Sequence, residues 1–206
     1  GAGRYEWGFT DRFEFDLEFG YLRPRERTGG VPTVSAQGAD DTMLGVRYRL
    51  LREASAPITL TTGPQVILPT ASRRNGLGPG EASYAWDLGV ARDFGGPFFT
   101  VASVNVSATP DVPDPAPGST RRFDLTALEW GVALGVRPLE RDTPVGSHHD
   151  IHLYLELAGT RSEEIDIGGR QRNTEILLAP GIRYGFLTRR KVLSELGVTF
   201  PIGLNR

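Results

Sequence analysis

The sequence predicts an all-β fold in one domain over residues 1–206, an antiparallel up-and-down transmembrane β-barrel with about ten strands. Three observations predict it. Residues 13–22, Phe-Glu-Phe-Asp-Leu-Glu-Phe-Gly-Tyr-Leu, alternate strictly between an apolar odd face and Glu14, Asp16 and Glu18 on the even face. That period of two marks a strand with one oily and one wet side. The pattern then returns along the chain in segments of about 9–11 residues or more, the length a tilted strand needs to cross a bilayer. Finally, short and long connections alternate, as the turns and loops on opposite rims of an outer-membrane barrel do.

In chain order the strands fall near 4–9, 13–22, 42–51, 58–68, 84–94, 98–107, 123–137, 151–161, 174–184 and 192–204. The third points Leu44, Val46, Tyr48 and Leu50 one way and Gly45, Arg47 and Arg49 the other. The eighth sets Ile151, Leu153, Leu155 and Leu157 against His152, Tyr154 and Glu156. The ninth sets Ile176, Leu178, Ile182 and Tyr184 against Glu175, Gly181 and Arg183. The tenth sets Leu196, Val198, Phe200 and Ile202 against Glu195, Gly197, Thr199 and Gly203. In the seventh, Phe123 and Leu125 are odd whereas Leu128, Trp130, Val132 and Leu134 are even, which predicts a β-bulge at Ala127-Leu128.

Glycine recurs on the polar face, at 45, 63, 89, 131, 135, 181, 197 and 203. Gly is a poor strand former, so repeated use needs a reason. Crowding on the concave inside of a small barrel supplies one. The polar face is therefore expected inside and the apolar face in lipid. Links at 10–12, 52–57, 95–97 and 185–191 are short, and those at 23–41, 69–83, 108–122 and 162–173 are long; 138–150 breaks the alternation. With short turns in the periplasm, both ends of the chain would lie outside. One further strand at each end, giving a twelve-stranded parent, is the expected repair; a closed ten-strand barrel is the alternative.

Composition narrows the function classes. A net charge of −2 gives no basic footprint for nucleic acid. No run of 18 apolar residues makes a spanning helix, and the mean hydropathy of −0.25 suits strands that are apolar on one face only. Cysteine is absent, which removes disulfides and thiol chemistry. Lys191 is the single lysine, so the basic residues are otherwise arginines.

Several segments resemble a family of Gram-negative outer-membrane barrels, the Meta-pathway phenol-degradation transporters. They are 7–14 (Trp-Gly-Phe-Thr-Asp-Arg-Phe-Glu), 44–50 (Leu-Gly-Val-Arg-Tyr-Arg-Leu), 66–72 (Val-Ile-Leu-Pro-Thr-Ala-Ser) and 178–184 (Leu-Ala-Pro-Gly-Ile-Arg-Tyr), with 196–203 similar to the family's penultimate strand. The resemblance implies an outer-membrane location and small solutes, aromatic or apolar ones among them. Family members continue into one more strand with an aromatic end, where this chain stops at Arg206.

The inward charges are the candidate site: Glu14, Asp16, Glu18, Arg47, Arg49, Asp87, Glu129, Arg137, Glu156, Glu175, Arg183 and Glu195. They read as a polar pore whose charges select solutes, or as cross-strand ion pairs that plug a narrow barrel. Trp7, Phe9, Tyr21, Tyr84, Trp86, Phe94, Phe98, Tyr184 and Phe200 fall towards strand ends and read as interfacial girdles. His148, His149 and His152 with Asp150 form the one histidine cluster; with no fourth ligand in sight, solvated turn residues are expected, not a metal site. Arginines at 23, 25, 27, 73, 74, 121, 122, 170 and 172 lie in or beside the long loops, where they face solvent or lipopolysaccharide phosphates.

No nucleophile elbow or phosphate cradle occurs, so neither an enzyme nor a cofactor is expected. The leading expectation is a passive channel for a small molecule in a bacterial outer membrane. A structural or interaction barrel with a filled lumen, and a soluble ligand-binding barrel with the faces reversed, are the alternatives.

Overall fold

Hydrogen-bonded ladders organise this chain almost entirely from neighbours in sequence. The computed structural model describes residues 2–22, 26–28, 31–34, 37–52, 56–71, 80–114, 116, 118–142, 148–166, 169–188 and 192–205. Its main strands are β1 (Ala2–Gly8), β2 (Phe13–Leu22), β6 (Thr42–Leu51), β7 (Thr59–Leu68), β8 (Ser83–Asp93), β9 (Phe98–Pro113), β10 (Arg122–Asp142), β11 (His148–Asp166), β12 (Gly169–Thr188) and β13 (Val192–Thr199). Between β2 and β6 lie three short strands: β3 (Glu26–Thr28) and β4 (Val31–Val34) form a separate hairpin, and β5 (Gly38–Ala39) pairs with β2. A last short strand, β14 (Ile202–Gly203), pairs with β12.

The sheet is antiparallel and up-and-down, with twelve strands in all and the path β1-β2-β6-β7-β8-β9-β10-β11-β12-β13. All ten expected strands are present, the tenth, expected over 192–204, being interrupted at 200–201 between β13 and β14. The path begins at β1 and ends at β13, and among the described residues no ladder joins the two. The closed barrel expected from the pattern is thus a sheet with an open seam here.

Short turns follow their residue chemistry. At the β8–β9 turn, Gly95 and Gly96 take φ of 75° and 83°, conformations that L side chains avoid, and Phe94 N–H donates to the Phe98 carbonyl at 3.1 Å. At the β1–β2 turn the Thr10 hydroxyl accepts from the Arg12 and Phe13 amides at 3.2 and 3.0 Å.

Four expected connections differ: 23–41 holds the short strands β3, β4 and β5, and three others follow. The 162–173 segment is an extension of the β11–β12 ladder out to Asp166↔Gly169, and β10 and β11 likewise continue to Asp142↔His148 across the expected 138–150 turn. Cross-strand charge does there what apolar alternation does elsewhere. Glu163 faces Arg172 in the ladder, at 3.1 Å from its Nε, and accepts a 2.9 Å bond from the Thr126 hydroxyl. The 108–122 segment is partly strand too, since β9 runs to Pro113.

The bulge expected at Ala127-Leu128 is absent, because the β9–β10 register is continuous there. Irregularity falls instead between Phe123 and Leu125, where β9 carries an extra residue and Asp111 takes φ 57°. A second lies after Val136 on the β11 side. Phe123 and Leu125 therefore keep the phase of Ala127, on the same face as the polar residues.

Curvature is legible in contacts between strands two apart, which in a flat sheet stand roughly 10 Å from each other. Gln65 on β7 accepts from Asn105 on β9 at 3.1 Å, and the Tyr154 hydroxyl on β11 meets that of Thr199 on β13 at 2.7 Å. The Phe99 and His152 rings, on β9 and β11, are 5.2 Å apart. These contacts lie on the polar face, so the sheet bends towards it. Glycine allows the approach. Gly135 sits under Phe99, between Phe99 and Tyr154 in register, and Gly181 lies under Tyr154. All eight glycines named from the sequence share this inner face.

Gly63 is the tightest. A Cβ there would run into the backbone carbonyl of Val46, which cannot swing away as a side chain can. Gly63→Ala is expected to cost about 2–3 kcal/mol by overpacking, whereas Gly8→Ala, with nothing within 4 Å of the new methyl, is expected to be silent. Denaturant midpoints of the two variants, measured side by side, check this.

Candidate functional site

The site grows from the phase of eight strands, β1, β2 and β6 to β11. Antiparallel register sets Glu14 opposite Arg47, Asp16 opposite Gly45, and Gly63 opposite Asp87. Arg47 is the hub of the inner face. Its Nη1 donates to Glu14 Oε1 at 2.6 Å, Nη2 lies 3.4 Å from Asp16 Oδ2, and Nε lies 3.9 Å from Asp87 Oδ2. The last contact crosses β7 over Gly63, which has no side chain to block it. Asp16 is 1% exposed, the largest fully buried side chain among the described residues. A buried carboxylate needs a partner or it would cost several kcal/mol, and Arg47 provides one. Glu6 from β1 joins Glu14 and Asp16, with carboxylate oxygens within 4.8 Å of one another.

A second network lies on the same face towards the short-turn rim. Arg137 on β10 donates to Asp93 on β8 at 2.5 Å, and its guanidinium carbon stands 4.9 Å from the Phe99 ring centroid on the strand between them. Phe99 in turn packs on His152, whose Nε2 is 3.0 Å from Asp150 Oδ2. Charge, ring and imidazole form one layer across β8 to β11.

The structure places every described candidate charge on the face the sequence assigned. Glu14, Asp16, Arg47 and Asp87 come together. Arg49, Arg137, Glu129, Glu156, Glu175, Arg183 and Glu18 share the face, with Arg183 opposite His152, Glu175 opposite Thr160, Glu129 opposite Asn105 and Glu18 opposite Met43 in the ladders. They do not form one ring. The Glu195 side chain lies outside the described residues, although its backbone pairs with Gly185.

The histidines separate: His149 points to the outer face, where Nδ1 meets the Tyr184 hydroxyl at 2.5 Å, while His152 points inward. Asp93, Phe99 and the Gln65–Asn105 pair were missed by sequence reasoning. The available signal was phase, since Asp93 continues the face of Asp87 and Gly89.

Among the expected girdle residues, Trp7, Phe9, Phe94, Phe98 and Tyr184 stand at the short-turn rim. Trp7, Phe9 and Phe13 pack in series, with ring centroids 5.9 and 5.7 Å apart, and Phe13 meets Tyr48 at 4.7 Å. Tyr21 and Tyr84 stand at the other ends of their strands. Trp86 lies in line with Val106 and Leu128, and Phe200, just past the end of β13, has its amide held by the Pro180 carbonyl, in line with Leu155 and Leu134. Of the loop arginines, Arg122 is 3.7 Å from Glu81 and Arg172 is bound to Glu163; those at 23, 25, 27, 73 and 74 have side chains outside the described residues.

The outer face is almost wholly apolar and open. Trp86 is 56% exposed, Leu134 62% and Leu196 72%, and Val46, Leu88, Val104, Val106, Leu128, Val132, Leu153, Leu155, Ile182 and Val198 are exposed beside them. The buried apolar residues among those described are Ala71, Ala85, Phe99, Val112 and Ala179. Carboxylate inside and leucine outside inverts the arrangement of a water-soluble domain.

No family model, curated protein or solved structure matches this chain.

Proposed function

We propose that this chain forms the wall of an outer-membrane β-barrel that passes a small molecule passively along its charged inner face. The observation that carries the reading is the inversion itself: a continuous exposed apolar face backed by a face whose largest fully buried side chain is Asp16. Hydrocarbon is the solvent in which that outer face is stable. The aromatic cluster Trp7, Phe9, Phe13 and Tyr48 at one rim suits headgroup depth. The resemblance to the Meta-pathway phenol-degradation transporters supports small, aromatic or apolar solutes and a Gram-negative outer membrane. Backbone groups at a free strand edge are too costly in lipid, so the reading also requires β1 and β13 to be paired in the bilayer.

One observation favours a second reading, a structural or interaction barrel with a filled lumen. The Arg47 and Arg137 networks and the Phe99 and Tyr154 rings reach across neighbouring strands and take up inner space. Liposome swelling separates the two. Purified chain reconstituted into liposomes is expected to admit small sugars faster than protein-free liposomes do. Equal rates, with the protein demonstrably inserted, would overturn the channel and leave the filled barrel.

A further inference from the structure

The outer face of β11 changes character along its length. It runs through Ile151, Leu153, Leu155 and Leu157 to Gly159, which lies under the Trp130 indole, and then reaches Arg161. At about 3.3 Å per residue and a tilt of about 40°, the rise from His149 to Arg161 is about 30 Å, a little more than the ~25 Å apolar band of an outer-membrane barrel. With the apolar face in lipid, Arg161 stands at headgroup depth on the long-loop side.

Arg161 is exposed, opposite Leu128 on β10 and Thr174 on β12. Among the described residues it makes no hydrogen bond and no ion pair. The next carboxylate along that face, Glu163, is committed elsewhere. It accepts from the Thr126 amide and hydroxyl at 3.2 and 2.9 Å, and lies 3.1 Å from Arg172 Nε and 3.4 Å from Arg170 Nη2. Asp124, the other acid of this patch, accepts from the Asp111 amide at 3.2 Å. Arg172, its side chain 62% exposed, stands on the diagonal from Arg161, a separation of roughly 7–8 Å in an antiparallel ladder. Two exposed guanidiniums at the border of an oily surface, one of them without an acid, call for an anion. Leu128 and the Trp130 indole beside and beneath them call for one that carries hydrocarbon.

We propose that Arg161 and Arg172 hold the phosphate headgroup of an anionic lipid on the outer face of β10 to β12, with the upper part of its acyl chains lying on Leu128 and Trp130. The guanidinium fork matches phosphate oxygens in pairs. An arginine close to the interface costs little in a barrel wall. The site rests on the reading of the apolar face as lipid-facing, and it is independent of whether the lumen conducts.

The probe is phosphatidic acid brominated on its acyl chains, which quenches a tryptophan that it touches. Trp7→Phe with Trp86→Phe leaves Trp130 as the one tryptophan, and Trp86→Phe with Trp130→Phe leaves Trp7 at the opposite rim. Each full-length chain is folded into phosphatidylcholine vesicles holding the same small fraction of brominated phosphatidic acid or brominated phosphatidylcholine. Phosphatidic acid is expected to quench Trp130 at least threefold more than phosphatidylcholine does, and Trp7 equally. Arg161→Gln is expected to bring Trp130 down to the phosphatidylcholine level, and Arg161→Lys to keep part of the excess. Millimolar inorganic phosphate should leave the excess unchanged; its loss would give the site to free phosphate and overturn the lipid. Equal quenching of Trp130 by both lipids, the same excess at Trp7, or an unchanged excess in folded Arg161→Gln would overturn it as well. The first two of these decide even if the arginine variant fails to fold. Trp130 quenched by neither lipid in a folded, vesicle-bound chain would sink the lipid-facing reading itself, whereas quenching without preference sinks the site alone.

Discussion

Arg47→Ala is expected to destabilise the fold by about 3–5 kcal/mol, the range for removing one partner of a buried ion pair. The guanidinium serves three carboxylates from two different strands, β2 and β8, and one of them, Asp16, is sealed from solvent. Removing it takes from the buried Asp16 the cation 3.4 Å away, and from Glu14 and Asp87 the positive charge that stands between them. Water cannot easily enter to compensate, because Gly45 and the Gln65 chain pack against Asp16. The test is a denaturant titration in detergent, followed by the fluorescence of Trp7, Trp86 and Trp130. The cycle with Asp16→Ala is decisive: if the pair is coupled as the geometry says, the double variant recovers a kilocalorie or more relative to additivity, about the coupling seen for contacting charges. Additive losses would mean that Arg47 stabilises the sheet by packing alone. Arg47→Lys should be a poor substitute, since an ammonium cannot reach three acceptors in one plane.

Much of this architecture was legible in the chain. Alternation located all ten long strands, because one face must be apolar throughout and the other must not, and no helical periodicity competes with that signal. Phase then fixed which side each charge and each glycine occupies, since a one-residue slip would have reversed every face. Glu14, Asp16 and Arg47 could be placed together because β2 and β6 are neighbours in the path.

The rest was hidden for physical reasons. Asp87 meets Arg47 across an intervening strand, a contact created by curvature and by the absence of a side chain at Gly63. Neither can be read from pairwise register. The Arg137, Asp93, Phe99 and His152 layer depends on the same curvature. The β11–β12 hairpin beyond Arg161 reads as loop in the sequence because its residues are polar, yet Glu163, Arg170 and Arg172 bond across the ladder and hold it extended. At Phe123 and Leu125 the apolar residues suggested a phase change, but the irregularity is on β9 at Asp111. The inner face simply becomes apolar there. Closure is a property of the two edges, and neither β1 nor β13 carries a local signal for what it pairs with.

Val132→Arg separates a lipid-facing wall from a water-facing one more sharply than any lumen substitution. Val132 lies on the outer face midway between Ala127 and Arg137, 43% exposed, with Ala102 and Leu157 beside it in the ladders. Among the described residues it makes no polar contact. On a surface bathed by water, exchange for arginine should change stability by no more than about 0.5 kcal/mol. In the middle of a bilayer the same charge costs about 2–4 kcal/mol. The comparison is made by folding both chains into preformed phosphatidylcholine vesicles and reading the folded fraction against urea. Wild-type-like folding of Val132→Arg would place this face in water and reverse the proposed orientation. A loss of 2 kcal/mol or more, together with a silent Ala133→Ser on the inner face next to it, would assign the apolar side to hydrocarbon. The pairing of variants matters because neighbouring residues share the same strand, the same ladders and the same propensity to fold. On the proposed reading only the solvent on the two sides of the wall differs.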